Sequence, residues 1–437
     1  MSTDQASSAD QLLASVDAEP GDRVRVHRDE DTLEGRVMPR HGFSDPDVVV
    51  LKLDSGYNIG LRVDEGDEVE RLETGGEAPE QPPAMPDDVD ELPTVALLGT
   101  GGTIASFVEY RTGAVHPATS PEELAAAVPE AFEHARLDPE VVFEAFSEDL
   151  TPDHWSQLAD AVEAAFERGV EGVVVTHGTD TMHYTAMALE LAFDELPGPV
   201  VLVGAQRSSD RPSSDAATNL TSAVRVAAET DAGEAMVVMH EGMSDETWAI
   251  HAAGRARKMH TSRRDAFQSL DHRPLGVVTD DAIEWNVEPR EPADRVQRSG
   301  SFDADVGLVH SYPGIDADEI RAAARDGLVV AGTGLGHLPS HLAEDVDELT
   351  DEGTLVAMAS QCLNGRTNMH VYETGRQLVE AGAIEAGDML PETAYVKLVW
   401  ALATADDPDE ARELFRQPQG REQSPRTGFY YPREEAR

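Results

Sequence analysis

The hydrophobic positions of the chain follow two patterns, and the change falls near residue 94. Between residues 22 and 72, apolar and polar side chains alternate in short segments broken by Gly, Asp and Asn: DRVRVHR, TLEGRVM, DVVVLKL, YNIGLRV and DEVERL. A period of two with breaks at this spacing predicts about five strands in a small antiparallel barrel.

Beyond residue 94 the strand signal changes to short, wholly apolar runs: TVALLGT, GVVVTHG, PVVLVGA, AMVVMH, LGVVT, VGLVHS, GLVVAGT and TLVAMAS. Helical stretches lie between several of them. One of these has an apolar stripe at helical spacing, formed by Trp155, Leu158, Val162 and Phe166, and Gly169 can end the helix. Buried runs that alternate with helices predict an α/β fold with a mostly parallel sheet.

Two stretches without periodicity divide the chain. Residues 74–93 contain five prolines, and residues 288–301 form a mostly polar segment. We therefore predict six parts along the chain. They are a small β-barrel-like module (1–73), a Pro-rich linker (74–93), a first α/β domain (94–290), a second linker (291–302), a second α/β domain (303–410) and a charged tail (411–437).

The charge balance is strongly negative: 84 acidic residues against 34 basic ones leave −50. This argues against a large phosphate-binding surface, because nucleic-acid binders normally carry a basic footprint. With 40% hydrophobic residues the chain can still fill a core. Because molar salt shortens the Debye length to about 3 Å, the charge indicates a protein of a high-salt cytoplasm. The alternative is an acidic face that meets a basic partner.

Cysteine content and the N-terminal segment also limit the classes of protein. Cys362 is the only cysteine, which excludes an intramolecular disulfide and a multi-cysteine zinc site. The first residues, MSTDQASSADQLLAS, have no basic residue and no apolar core, so no signal peptide is expected. Since no apolar run approaches the ~18 residues of a membrane span, we expect a soluble cytoplasmic protein.

Polar motifs follow two of the predicted strands, where ligands bind in open α/β sheets. The first, LGTGGTIAS, lacks the third glycine of a dinucleotide site and the lysine of a P-loop. It presents a threonine hydroxyl and backbone N–H groups that could hold a carboxylate or an oxyanion. The second, VTHGTDTM, places four polar side chains after a buried strand. An ordinary tight turn and a helix N-cap are the alternatives for the two motifs.

A third segment, RKMHTSRRDAF, contains one of only three lysines in the chain, Lys52, Lys258 and Lys397. Lysine can act as a base when desolvated, whereas arginine stays protonated. A solvated surface lysine is the alternative for Lys258.

Other candidate sites are weaker. No Gly-x-Ser-x-Gly elbow is present, which disfavours an α/β-hydrolase. His337 and His341 are four residues apart with Pro339 between them, a pattern that favours a loop over a metal pair. Cys362 lacks an accompanying base, so a structural thiol is expected.

The three segments together resemble the L-asparaginase/glutaminase family. TGGTIAS resembles its first catalytic threonine motif, HGTDTM the second, and RKMHTSRRDAF its lysine region. The resemblance covers about residues 94–405. It implies two α/β domains with parallel sheets and an active site at an intimate dimer contact, with no metal.

The same resemblance implies roles for individual residues. Thr103 would be the nucleophile, and Thr179, Asp180 and Lys258 a second cluster in which deprotonated Lys258 relays a proton through Thr179. The substrate would be held by Asp180 and by Gly102, Gly178, Ser147, Glu148 and Tyr110. Glu148 stands where secreted asparaginases commonly have glutamine, and the motifs leave open which threonine attacks first.

The remaining segments resemble a narrower family. The N-terminal β-module, the Pro-rich linker, SQCLNGRTNMHVYETGRQL and LPETAYVKLVWALA resemble the D subunits of archaeal glutamyl-tRNA(Gln) amidotransferases. This implies a glutaminase that supplies ammonia to a partner protein, GatE, which uses ATP and Mg²⁺ to amidate Glu-tRNA(Gln). The chain itself would bind glutamine and no cofactor, leave the tRNA mainly to the partner, and form a homodimer within a heterotetramer.

Two alternatives remain from the sequence. A free-standing L-asparaginase would not need residues 1–93 and would act without partner or tRNA. A non-catalytic scaffold on this fold would be expected to lack a catalytic position, whereas Thr103, Thr179, Asp180 and Lys258 are all present.

Overall fold

The structure is a computed structural model, and it describes most of the chain. The described residues are 7–28, 31–38, 45, 47–53, 58–64, 66–74, 92–102, 104, 106–109, 114–117, 129–207 and 213–426, with backbone alone at 31, 58, 106–109, 114–117, 129 and 130. Most of the predicted linker 74–93 lies outside the described residues, as do Thr103 and Tyr110.

An N-terminal module contains the five predicted strands, which are confirmed. Its elements are helix α1 (Ser8–Ala14) and strands β1 (Arg23–Arg28), β2 (Asp31–Val37), β3 (Val48–Lys52), β4 (Asn58–Arg62) and β5 (Glu68–Glu73). The strands pair antiparallel in the order β4-β3-β2-β1-β5. Val24, Val26 and Leu51 fill a small core beneath the sheet. The sequence pattern did not predict α1.

The first α/β domain follows in the chain. Its strands are β6 (Thr94–Gly99), β7 (Ser106–Glu109), β8 (Ala114–Pro117), β9 (Arg136–Val141), β10 (Gly172–Thr176), β11 (Phe193–Glu195), β12 (Val200–Val203), β13 (Ala235–His240), β14 (Trp248–Ala252), β15 (Ala256–Lys258), β16 (Phe267–Ser269), β17 (Gly276–Val278) and β18 (Ile283–Trp285). Its helices are α2 (Pro152–Glu167), α3 (Met182–Ala192) and α4 (Ala216–Glu229).

The central sheet of this domain has eight strands in the order β18-β17-β14-β13-β12-β10-β6-β9. Strands β9, β6, β10, β12 and β13 pair in parallel, as predicted, and β14, β17 and β18 extend the sheet antiparallel. Because β6 and β10 are parallel neighbours, both predicted threonine motifs begin at the same edge of the sheet.

Helix α2 confirms the predicted stripe. Trp155, Leu158, Val162 and Phe166 are all buried, and they pack into the main core of the domain. Gly169 ends the helix in the left-handed region with φ +88°, where a glycine costs least.

The second α/β domain has the strands β20 (Val306–His310), β21 (Gly327–Gly332), β22 (Leu355–Ser360) and β23 (Ile384–Glu385). They form a parallel sheet in the order β20-β21-β22-β23. The helices are α5 (Ala317–Ala323), α6 (Ala343–Asp351), α7 (Glu373–Glu380), α8 (Pro391–Thr404) and α9 (Pro408–Arg416). The predicted linker 291–302 contains a short strand, β19 (Gln297–Arg298), which pairs with β11 of the first domain.

The charged tail predicted from residue 411 is wrong for residues 411–426. Ala411 and Phe415 lie in α9, are buried, and pack this helix against α8. Glu422 is fully buried beside Lys397. Because most residues of α9 are charged or polar, the sequence pattern did not reveal the apolar face of this amphipathic helix. No helix in the described part of the chain is long and apolar enough to cross a membrane.

Candidate active site

The two threonine motifs meet at the carboxyl ends of β6 and β10. Gly99 lies opposite Thr176 in the parallel ladder. Beyond this pair, Thr100 donates to the Thr176 carbonyl from its backbone N–H at 3.2 Å and from its hydroxyl at 2.8 Å. The backbones that lead into the two motifs are therefore joined side by side.

Two glycines then press the first motif against the second. Gly101 and Gly102 have φ of +99° and +86°. A Cβ on Gly102 would lie 2.6 Å from the Gly178 amide nitrogen and 2.8 Å from the His177 carbonyl carbon. Only glycine allows both this backbone conformation and this close approach. Thr103 follows directly in the chain, although it lies outside the described residues.

Lys258 reaches the second motif from β15. Its Nζ lies 2.7 Å from the Thr179 hydroxyl and 2.8 Å from Asp180 Oδ1. The Lys258 and Thr179 side chains are nearly buried, whereas the Asp180 side chain is 70% exposed. The structure thus brings together three of the four predicted catalytic residues. Because the Asp180 carboxylate faces solvent, its ion pair with Lys258 adds little to stability.

Ser147 lies beneath the second motif, in the single 3₁₀ turn Ser147–Asp149. A Cβ on Gly178 would lie 2.2 Å from the Ser147 hydroxyl oxygen. Thr181 donates its hydroxyl to the Ser147 carbonyl at 3.0 Å. Ser147 is buried and Glu148 is exposed. Gly102, Gly178 and Ser147 are therefore packed against one another. Glu148 lies beside them on the solvent-exposed side.

His177 supports this contact from behind, a role that the sequence pattern did not reveal. The ring is fully buried, with Nδ1 2.6 Å from the Gly178 carbonyl and Nε2 2.9 Å from the Thr185 hydroxyl. Because the carbonyl can only accept, Nδ1 carries the proton and Nε2 accepts from Thr185. Burial lowers the pKa of His177 to about 4, so the ring is neutral near pH 7.

A cleft of about 460 Å³ opens beside Lys258, a size typical of small-molecule sites. Its walls include Asp180, Lys258, His183 and an ion pair, Arg257 to Glu392 at 2.6 Å. Arg257 and Glu392 were not singled out from the sequence, because they are far apart in the chain and meet only after the second domain folds. Burial and the neighbouring Arg257 lower the pKa of His183 to about 3.

The weaker candidates do not join this site. The His337 ring packs near Tyr372, and His341 is exposed in a separate 3₁₀ turn. Cys362 is a free, exposed cysteine. Among the described residues, no group of three or more His, Cys, Asp or Glu side chains could hold a metal ion.

Acidification should destabilise the fold through its buried histidines. Burial lowers the pKa of His251 to about 4. In the unfolded chain this histidine has an ordinary pKa near 6.5, so between about pH 6.5 and pH 4 the unfolded chain binds more protons than the folded one. The stabilisation by neutral His251 is therefore fully present above this pH range and is lost as the pH falls through it. From pH 6.8 to 4.8 we expect about 2 kcal/mol of loss from His251.

Urea unfolding in molar KCl at these two pH values would measure this loss. The His251→Gln variant should show a pH dependence smaller by the same ~2 kcal/mol. An equal pH dependence in the two proteins would contradict the assignment.

Comparison with known proteins agrees with this geometry. Residues 94–291 match the family model described as asparaginase, N-terminal, and residues 305–415 match the glutaminase/asparaginase C-terminal domain. Residues 18–72 match the GatD N-terminal domain.

Full-length relatives extend the match to the whole chain. It is 47% identical to the D subunit of the glutamyl-tRNA(Gln) amidotransferase of Thermofilum pendens, over 99% of both chains. It is also 47% identical to the corresponding protein of Pyrococcus furiosus, over 93% of this chain and 95% of the other. The chain belongs to the family of glutamyl-tRNA(Gln) amidotransferase D subunits. The family resemblance derived from the motifs is thereby confirmed.

Solved structures show the same fold over the α/β domains. The L-asparaginase of Thermococcus kodakarensis superimposes with a TM-score of 0.66 at 31% identity, covering 76% of this chain and 99% of its own. L-asparaginase I of Vibrio cholerae gives 0.64 at 28% identity, covering 75% and 98%. About a quarter of this chain therefore has no counterpart in those asparaginases, and the D-subunit relatives account for that part.

Proposed function

We propose that this chain is the glutaminase component of a tRNA-dependent amidotransferase. It hydrolyses the side-chain amide of glutamine and supplies ammonia to a partner that converts Glu-tRNA(Gln) to Gln-tRNA(Gln). The observation that carries the proposal is the Lys258–Thr179–Asp180 cluster, placed against the TGG turn in a chain that matches the D subunits from end to end.

The chemistry follows a threonine nucleophile. The hydroxyl of Thr103 attacks the amide carbon, and its proton leaves through the second cluster. The Lys258 amine, 2.7 Å from the Thr179 hydroxyl, takes a proton through that hydroxyl and returns one to the departing ammonia. Water then attacks the acyl-enzyme ester and releases glutamate.

The remaining residues hold the substrate. The exposed Asp180 carboxylate pairs with the substrate's α-ammonium group, and Ser147 with Glu148 contacts the polar end of the amino acid. Backbone N–H groups at Gly102 and Gly178 bind oxygen atoms of the substrate. Tyr110, which lies outside the described residues, is assigned to substrate binding by the resemblance to the asparaginase family alone.

The partner protein, GatE, supplies the nucleotide chemistry. It binds ATP and Mg²⁺ and activates the tRNA-linked glutamate, while this chain binds no cofactor. The absence of a P-loop and the net charge of −50 support a division in which the partner contacts most of the tRNA. The chain acts as a homodimer within a heterotetramer, in a high-salt cytoplasm.

Glutamine hydrolysis in molar KCl tests the proposal. The chain is co-purified with GatE, and ammonia release is measured with and without Glu-tRNA(Gln). We expect hydrolysis to depend on partner and tRNA, and Gln-tRNA(Gln) to form when ATP is added.

A free-standing L-asparaginase, the activity named for the solved neighbours, predicts another result. Asparagine would be hydrolysed faster than glutamine, and neither tRNA nor partner would change the rate. That outcome would contradict the amidotransferase proposal.

A further inference from the structure

A segment beyond the asparaginase-type domains crosses back over both of them. The match to the C-terminal asparaginase model ends at residue 415. Residues 417–424, which we name the C-terminal strap, then run between the two α/β domains. On one side Arg421 forms two hydrogen bonds with Glu234, at 2.8 and 3.1 Å. On the other side the backbone N–H of Ser424 donates to Asp388 at 2.9 Å.

The strap is held by a buried ion pair. Glu422 and Lys397 are both fully buried, and their charged atoms lie 2.6 Å apart. Two backbone N–H groups of the strap, those of Gln419 and Gly420, also donate to the Glu422 carboxylate. Burial lowers the pKa of Lys397, and the Lys397 charge lowers the pKa of Glu422 against the effect of burial. With its hydrogen bonds satisfied, this charge pair keeps the strap in one place.

The strap binds Arg255, three residues before Lys258. Arg255 is 2% exposed. Its Nε donates to the Arg421 carbonyl at 2.6 Å, and its Nη2 donates to the Ser424 hydroxyl at 2.9 Å and to Asp388 at 3.1 Å. The planar guanidinium group fits these acceptors in one orientation only.

The residue before Arg255 is equally confined. A Cβ on Gly254 would lie 2.5 Å from the Glu422 side chain and 2.9 Å from Met187 Sδ in α3. The Gly254 carbonyl accepts from Thr393 of α8 at 3.1 Å. The start of the segment that carries Lys258 is therefore fixed by the strap, by the second domain and by the helix that follows the second threonine motif.

We propose that the C-terminal strap, acting through Arg255, is a positioning device for Lys258. Strand β15 spans only from Ala256 to Lys258, about 10 Å of extended chain from Arg255. A displacement at Arg255 therefore passes to the Lys258 side chain, whereas Thr179 and Asp180 belong to a different segment. This inference rests on the proposed glutaminase function for its kinetic consequences.

Matched substitutions of two strap-bound arginines test it in the complete complex. Arg255→Gln removes the guanidinium group whose hydrogen bonds to the strap fix the start of β15. Arg421→Gln removes the ion pair between the strap and Glu234. The backbone carbonyl of residue 421 remains and still accepts a hydrogen bond from Arg255. Since a misplacement of 1 Å can cost about 100-fold in rate, we expect R255Q to lower kcat for glutamine 10- to 100-fold. KM should stay within about twofold, because Asp180 is not displaced, and R421Q should keep its kcat.

An NMR measurement on Lys258 distinguishes a displaced Lys258 side chain from a general loss of stability. The chain has three lysines, so ¹³C-lysine labelling gives three ε-carbon signals, and Lys258→Arg identifies the relevant one. R255Q should move that signal and R421Q should not. Equal losses of kcat in the two variants, or unchanged kcat and lysine signal in R255Q, would overturn the proposal.

Two further outcomes are covered by the same design. If R255Q does not fold, Ser424→Ala, which removes one acceptor from Arg255, must still move the Lys258 signal. If the unaltered complex does not hydrolyse glutamine, the proposed function fails, and the lysine signal decides the positioning role by itself.

Discussion

Lys258→Arg should lower glutamine-dependent amidation by about 10²- to 10⁴-fold and leave ammonium-dependent amidation intact. The Lys258 Nζ contacts both Thr179 and Asp180, within 2.8 Å of each. A guanidinium group keeps its proton in proteins and is too large for the same position, so it cannot accept a proton from Thr179. General base catalysis of this kind contributes about 10²- to 10⁴-fold, and kcat for glutamine should fall by that factor.

The measurement is the formation of Gln-tRNA(Gln) from glutamine and, separately, from ammonium chloride. Lys52→Arg is the matched control, because Lys52 is also largely buried yet lies in the N-terminal module. It should retain full activity with both nitrogen donors. Full glutaminase activity in Lys258→Arg would refute the proton relay.

Gly102→Ala should inactivate the enzyme and destabilise it. Gly102 has φ +86°, and an added Cβ would meet the backbone of Gly178 at 2.6 Å. The left-handed conformation alone costs about 1–2 kcal/mol for alanine, and the backbone contact forces the two motifs apart. We expect a loss of at least ~2 kcal/mol in stability and ~100-fold or more in kcat.

Gly169→Ala provides the comparison for this variant. Gly169 has nearly the same φ, +88°, but nothing lies within 4 Å of its added Cβ. It should lose about 1 kcal/mol of stability and no activity. Thermal unfolding and glutamine hydrolysis of the two variants, measured side by side, test this difference. Equal activities would show that the close contact with Gly178 is not needed for catalysis.

Local patterns were sufficient where each residue's environment depends on its near neighbours. The alternation in residues 22–72 predicted all five strands of the N-terminal sheet. The stripe containing Trp155 and Phe166 predicted helix α2, because burial on one face repeats with the helical period. Prediction was wrong at α9, where Ala411 and Phe415 are the only buried residues of a largely charged segment.

The residue types at the site could also be derived from the chain alone. A glycine turn with a threonine, a second polar motif after a buried strand and a rare lysine together resembled the L-asparaginase/glutaminase family. That resemblance implied amide hydrolysis before any geometry was known. That the motifs meet depends on β6 and β10 being neighbours, and strand order is a property of the whole sheet.

The five strands of the N-terminal sheet, the division into a β-module and α/β domains, the family, and the choice of threonines and lysine as candidates follow from the amino-acid sequence. Three-dimensional packing was needed to show that Lys258 reaches Thr179, that Gly102 must be glycine because Gly178 lies against it, and that Arg255 is held by residues 421–424. The physical reason is the distance along the chain. Periodicity and turn chemistry act within a few residues, whereas these contacts join positions about 80 to 170 residues apart and form only in the folded chain.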